Sequence, residues 1–205
     1  MLNTGSQSME SSCASKLSFL WLCSLLWLLV IVPSTVRAES VGINVEDIQP
    51  YWNDGVYQLN ALVLYDLSPE VLDALDSGVP ITFTVDIVIT RERKYWVDDN
   101  VAALKQQYQL RYHALSDQYI LTNLNSGAKN SFPSLRAALA VMGNIVALPL
   151  IDDQLLRSGL SYFGRMRVVL DTDFLPTPLR LLAYVTSGWR LKSEWLTWNV
   201  SRNTN

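Results

Sequence analysis

Gly78–Trp96 reads GVPITFTVDIVITRERKYW. From Ile81 to Thr90 it alternates. Ile81, Phe83, Val85, Ile87 and Ile89 point one way. Thr82, Thr84, Asp86 and Thr90 point the other, with Val88 the one apolar exception. This period of two predicts a long strand with one buried face. Ten such residues span roughly 33 Å, enough to cross a small domain. The strand ends in a cluster of charge and rings, Arg91, Arg93, Lys94, Tyr95 and Trp96.

Outward from this strand the same signals recur. Upstream, Val41–Trp52 reads as a strand running to a Pro-aromatic corner, and Asn53-Asp54-Gly55 as a turn. Val56–Leu67 is a second strand. Ser68-Pro69-Glu70 opens a short helix: a capping hydroxyl, a proline suited to the first turn and an acid at the positive end. Gly78 suits the left-handed residue that closes it.

Downstream, Val97–Asn100 reads as a loop, Gln106–Leu115 as a strand and Gln118–Leu124 as its return. A helix is predicted from Ser134 to Met142, stopped by Gly143. Ile145–Ile151 is a short apolar run, expected to be buried. Leu160–Leu170 is a strand with Tyr162, Met166, Val168 and Leu170 inside and Arg165 and Arg167 outside. Leu175–Val185 fits two readings, a helix opened by Thr177-Pro178 or a strand with Leu179, Leu181, Ala183 and Val185 on one face; the strand is preferred. Trp189–Val200 is read as the last strand. Seven or eight strands, separated by turns and not each followed by a helix, define the fold class as mainly β. The expectation is an antiparallel β-sandwich, immunoglobulin-like in the broad sense, with two or three short inserted helices.

The ends bound the domain. Leu17–Val32, LSFLWLCSLLWLLVIV, is an almost unbroken apolar run after Lys16 and before a Val36-Arg37-Ala38 cleavage pattern. Residues 1–38 therefore read as a secretory signal peptide, from either Met1 or Met9. The other reading is a retained inner-membrane anchor at Leu17–Val32, a little short of the roughly 20 residues of a spanning helix. Residues 39–200 read as one sandwich domain, with a frayed tail at 201–205. Both cysteines, Cys13 and Cys23, fall in the leader, so the remainder has no disulfide, no thiolate nucleophile and no cysteine metal site. It must be held by its core alone.

Without the leader there are 14 basic and 18 acidic side chains, a balance that gives no general case for nucleic acid. The distribution is uneven. Glu39–Thr90 holds nine acids and no Lys or Arg; from Arg91 onward there are nine acids and 14 bases. The two sets either form opposite sides of the domain or interleave.

Taken together, several segments resemble one family. They are Leu67-Ser68-Pro69, Gly78-Val79-Pro80, Arg91–Trp96 (RERKYW), Tyr112–Tyr119 (YHALSDQY), Ser134–Leu139 (SLRAAL), Leu175–Leu181 and Trp189–Trp198 (WRLKSEWLTW). The set is similar to the exported family of Gram-negative bacteria known as domain of unknown function 4390, over nearly the whole mature chain. The resemblance implies an envelope protein with no established activity and no assigned catalytic residues. It also hints at partners, since such genes tend to lie near an rRNA methyltransferase and a membrane sensor kinase.

Chemistry-bearing groups are few. His113, the single histidine, stands with Ser116 and Asp117, but all three lie within five residues at a strand turn. There is no strained nucleophile elbow, and ordinary turn roles are the preferred reading. Asp98-Asp99, Asp152-Asp153 and Asp171-Asp173 could hold a hard cation or work as acid and base on a sugar. Their preferred reading is helix caps and loop solvation. Trp189, Trp195 and Trp198 are read mainly as core. The sequence thus implies no catalytic residue, no metal and no cofactor. Arg91, Arg93, Lys94, Tyr95 and Trp96 are the most suggestive set, because guanidinium and ammonium groups beside rings hold phosphate, anionic lipid or acidic protein. The expected function is a non-enzymatic periplasmic binding or protein-interaction module. Its partner would be another envelope protein or the periplasmic part of a sensor kinase. A membrane-anchored accessory of an envelope signalling system is the first alternative, with membrane contact only through the N-terminal segment. A carboxylate hydrolase is the second.

Overall fold

The computed structural model describes residues 41–92 and 99–201. The signal-peptide reading, Arg93–Trp96, Asp98 and most of the frayed tail lie outside the described residues.

Two antiparallel sheets carry the fold. The smaller has the order β1 (Gly42–Asn53), β2 (Val56–Asp66), β7 (Asn144–Asp152). The larger has six strands, β6-β5-β4-β3-β8-β9: β6 is Lys129–Phe132, β5 Gln118–Asn123, β4 Asp99–His113, β3 Ile81–Arg91, β8 Tyr162–Leu170 and β9 Leu196–Val200. Three helices interrupt them, α1 (Pro69–Asp76), α2 (Leu135–Gly143) and α3 (Thr177–Val185). The chain is mainly β, and one core spans both sheets in a sandwich-like arrangement. Ile43, Leu59, Ala61 and Val63 of the small sheet join Ile81, Phe83, Val85 and Ile87 of β3, with Leu110, Met166 and Val168 from its neighbours.

β3 is central to the large sheet, paired along nearly its whole length with β4 and β8. Its apolar face is buried as the alternation predicts. Its polar face is buried too: Thr82 is 0% and Asp86 8% exposed, and Thr84 and Thr90 are buried. That departs from the expected one-faced strand. The polar positions lie in the middle of the sheet, where the three threonine hydroxyls find hydrogen-bond partners, while Oδ1 of Asp86 is buried with none among the described residues. Gln109 donates to the Thr82 hydroxyl. Thr84 donates to Asp171 and Thr90 to Asn100. A buried hydroxyl without such partners would cost about 1–3 kcal/mol.

Local signals place the helices. Ser68 caps α1, its Oγ accepting from Val71 N, and Gly78 closes it at φ +78°. Ser134 caps α2 in the same way. Gly143 serves differently from a left-handed stop: a Cβ there would sit 2.1 Å from the Val63 carbonyl oxygen, so only glycine lets the helix end approach β2.

Five further expectations are corrected. Leu175–Val185 contains a helix, not a strand. Pro178 has no N–H for a ladder but fits the first turn, and the i, i+4 pair Leu179 and Ala183 packs inward. Trp189–Val200 is not one strand. Ser187–Trp189 is a single 3-10 turn, and Lys192 makes an isolated bridge to Val169. Then the Ser193 hydroxyl takes the Val168 N–H, and regular pairing resumes only at Leu196. Pro50-Tyr51-Trp52 is no corner; it continues β1, an edge strand where proline is tolerated. Asp99 and Asn100 are not loop but the start of β4, opposite Arg91 and Thr90. The run Ile145–Ile151 is buried only at Ile145 and Ile151, because β7 is also an edge and turns Val146 to solvent.

Candidate functional site

Of the strand-end set, Arg91 alone is described; Arg93, Lys94, Tyr95 and Trp96 lie outside the described residues. Arg91 closes β3 opposite Asp99, and its guanidinium donates to the Asp99 carboxylate at 2.6 Å. The pair is half screened from water and ties the two strand ends together.

The histidine cluster comes together only in part. His113 Nδ1 lies 3.0 Å from Ser116 Oγ on an exposed turn. Asp117 does not orient the imidazole; its carboxylate accepts from the Tyr112 hydroxyl at 2.8 Å. That bond raises the Tyr112 pKa above its ordinary value. The acidic pairs divide among strand ends. Asp152 caps Gln154 N, and Asp171 caps Asp173 N while accepting from Thr84. Asp171 N bonds to Thr82 O, whereas Asp99 faces Arg91, so these two are about 30 Å apart along β3.

The aromatic cluster also divides. Trp189 is buried in the core, and Trp198 packs against Gly164, where a Cβ would meet its ring at 2.3 Å. Trp195 is not core: it is 39% exposed and immediately precedes β9.

Trp195 ends a rank of side chains across the outer face of the large sheet. Asp86 on β3 is paired in register with Lys105 on β4 and Arg167 on β8. Arg167 donates from Nε at 3.2 Å and Nη2 at 3.1 Å, both to Oδ2 of Asp86. Lys105 Nζ stands 3.6 Å from Oδ1. The Arg167 guanidinium then lies 4.5 Å from the centre of the Trp195 ring. Arg165, two residues earlier on the same face, lies 5.3 Å from Trp195 and 5.9 Å from Phe163. Its Nε is buried with no hydrogen-bond partner among the described residues. Asp86, Val88, Lys105, Arg165, Arg167 and Trp195 line a groove of about 250 Å³.

Three cations and one carboxylate thus meet beside a ring. Asp86 holds Arg167 and Lys105 in place, and the ring faces fix the guanidinium planes. The surplus is positive, in a protein of formal net charge -3. It also answers the charge question: acids from the first half interleave with bases from the second, Asp86 lying between Lys105 and Arg167. The outward placing of Arg165 and Arg167 was legible from alternation in β8. Their meeting with Asp86 and Trp195 was not, because β3, β8 and β9 are far apart in sequence.

The fold and groove define a class: a two-sheet β domain presenting a basic, aromatic-backed groove on one sheet face. Residues 40–199 match the model of the domain of unknown function 4390, and the chain belongs to that family. No curated protein and no solved structure matches the chain.

Proposed function

We propose that the protein is a non-enzymatic binding module of the cell envelope, exported by its N-terminal leader, that recognises an acidic group on a protein partner through the Arg165–Arg167–Lys105–Trp195 groove. One observation carries this: two guanidinium groups held over an exposed tryptophan, one of them without a carboxylate partner among the described residues. Such planar forks take carboxylate or phosphate in two-point fashion. The ring raises local contact area at little entropy cost. Arg91 contributes from the strand end as a brace for the hairpin, not as a ligand group. Export places the groove where envelope proteins and sensor ectodomains are available to it.

Crosslinking in the native envelope tests the reading. Wild-type protein and the variants Arg165→Glu and Trp195→Ala are compared for captured partner at equal expression and equal melting temperature. Both variants are expected to lose the same captured protein. Capture that is unchanged in both would refute the groove as the recognition surface.

A further inference from the structure

α3 inverts the usual pattern of a surface helix. Only Ala183 of its nine residues is buried. Leu181, Leu182 and Tyr184 are more than half exposed and Val185 is 76% exposed, with Phe174 exposed just before the helix. Pro178, Leu181 and Val185 recur at the i, i+3 and i+4 spacings of one outward stripe. These side chains offer on the order of 500 Å² of mostly apolar surface, at the upper end for a soluble monomer.

Cations flank the stripe. The Arg180 guanidinium bonds to the carbonyls of Asp173 and Leu175, and Arg190 bonds to that of Tyr184. Lys192 is paired with Val169, on the same sheet face as Arg165 and Arg167. Between α3 and this segment lies a cleft of about 430 Å³ lined by Ala183, Tyr184, Trp189, Arg190 and Lys192. The nearby carboxylates are Asp171 and Asp173, beside the cleft-lining Leu170 and Thr172, and Glu70, which packs over Gly188.

The covalent path says which end of the domain this is. β1 begins at Gly42, paired with Asp66 at the end of β2. Two residues on, Ser68 Oγ donates to Gly188 O at 2.7 Å, three residues past the end of α3. The described residues therefore begin at the α3 end of the domain. The opposite end, at the β1–β2 turn, is about 36 Å away along the eleven residues of β2. A second copy is the weaker occupant. Two such patches face to face would bury about 1,000 Å², short of the roughly 1,200 Å² at which stable dimers begin.

We infer that α3 docks on an anionic lipid surface, its Leu181–Val185 face entering the head-group boundary while Arg180, Arg190 and Lys192 meet lipid phosphates. This goes beyond the groove reading and does not depend on it. The test is amide hydrogen exchange of the full chain with and without vesicles of phosphatidylethanolamine and phosphatidylglycerol. Phosphatidylcholine vesicles and the exposed-site double variant Leu181→Glu/Val185→Glu serve as comparisons. Exchange over residues 174–185 is expected to slow several-fold on the anionic vesicles only, and the double variant is expected to abolish the slowing while β3 and β8 exchange as before. Unchanged exchange on vesicles overturns the inference. So does equal slowing on phosphatidylcholine, or equal slowing in the double variant, which would assign membrane contact to the N-terminal run alone. Slowing that follows protein concentration without lipid would assign the face to a second copy and overturn it as well.

Discussion

Replacing Asp86 with Asn removes the carboxylate that pairs with Lys105 and Arg167. The side chain of Asp86 is 11% exposed, that of Arg167 37% and that of Lys105 74%. Breaking a fully buried pair costs about 3–5 kcal/mol, and a fully exposed one under about 1 kcal/mol. The exposure of the two cations places Asp86→Asn between these, at about 2 kcal/mol. For a domain of this size that lowers the melting temperature by about 4–8 °C. Urea unfolding of wild type, Asp86→Asn, Arg167→Gln and the double variant closes a cycle with a coupling of about 1 kcal/mol. The loss should persist in 1 M NaCl, because salt screens a half-buried pair far less than an exposed one. Additive single effects, or Asp86→Asn within about 0.3 kcal/mol of wild type, would refute Asp86 as the organiser of the groove.

Three other outcomes follow from the core and its edges. The Tyr65 hydroxyl is buried beside Phe83 without a hydrogen-bond partner among the described residues, so Tyr65→Phe is expected to raise stability at pH 8 by up to about 1 kcal/mol in urea unfolding. Burial raises the Tyr65 pKa, with Tyr108 adding to it, and burial also raises Tyr57 and Tyr108. The fold holds these phenols protonated, so the stability they contribute is present below about pH 10 and is lost as pH climbs above it; Tyr65→Phe should lose less between pH 10 and 11. Gly143→Ala drives a Cβ into the Val63 carbonyl and should cost about 3 kcal/mol, whereas Gly127→Ala, in open space at φ +76°, should cost about 1 kcal/mol, both read by thermal melting. His113→Ala should leave melting unchanged within about 0.5 kcal/mol, since its one side-chain hydrogen bond among the described residues is to an exposed hydroxyl.

What could be read from sequence follows from which forces are local. The β3 alternation, the Ser68 cap and the left-handed Gly78 depend on neighbours within a few residues, and all three were legible. α3 was misjudged because Leu179, Leu181, Ala183 and Val185 fit a period of two as well as Leu179 and Ala183 fit a helical face; the proline decides only once its first-turn role is weighed. The strand at Trp189–Val200 was overextended because a serine side chain replacing a backbone acceptor leaves no mark in hydropathy. The groove was out of reach for a different reason. It needs the register of β3 against β8, and β8 begins 71 residues after the end of β3 in numbering from Arg91 to Tyr162.

The central strand explains where recognition can lie on this sheet. Both faces of β3 are spent on the fold: the apolar side fills the core, and Thr82, Thr84 and Thr90 on the other side are buried and bonded. Asp86 is the exception in kind, since its bonds go to charged side chains that reach past it. Lys105 and Arg167 extend outward from the flanking strands, and their heads are the first groups on that face to meet water. A buried carboxylate therefore determines where exposed cations stand. Substitutions that spare the fold but abolish recognition should accordingly fall on Arg165 and Trp195, which pack on each other outside the hydrophobic core, while substitutions at Asp86 should affect both together. Finding the reverse, with Asp86→Asn harmless to recognition and Arg165→Glu destabilising, would show that the rank is a brace of the sheet and nothing more.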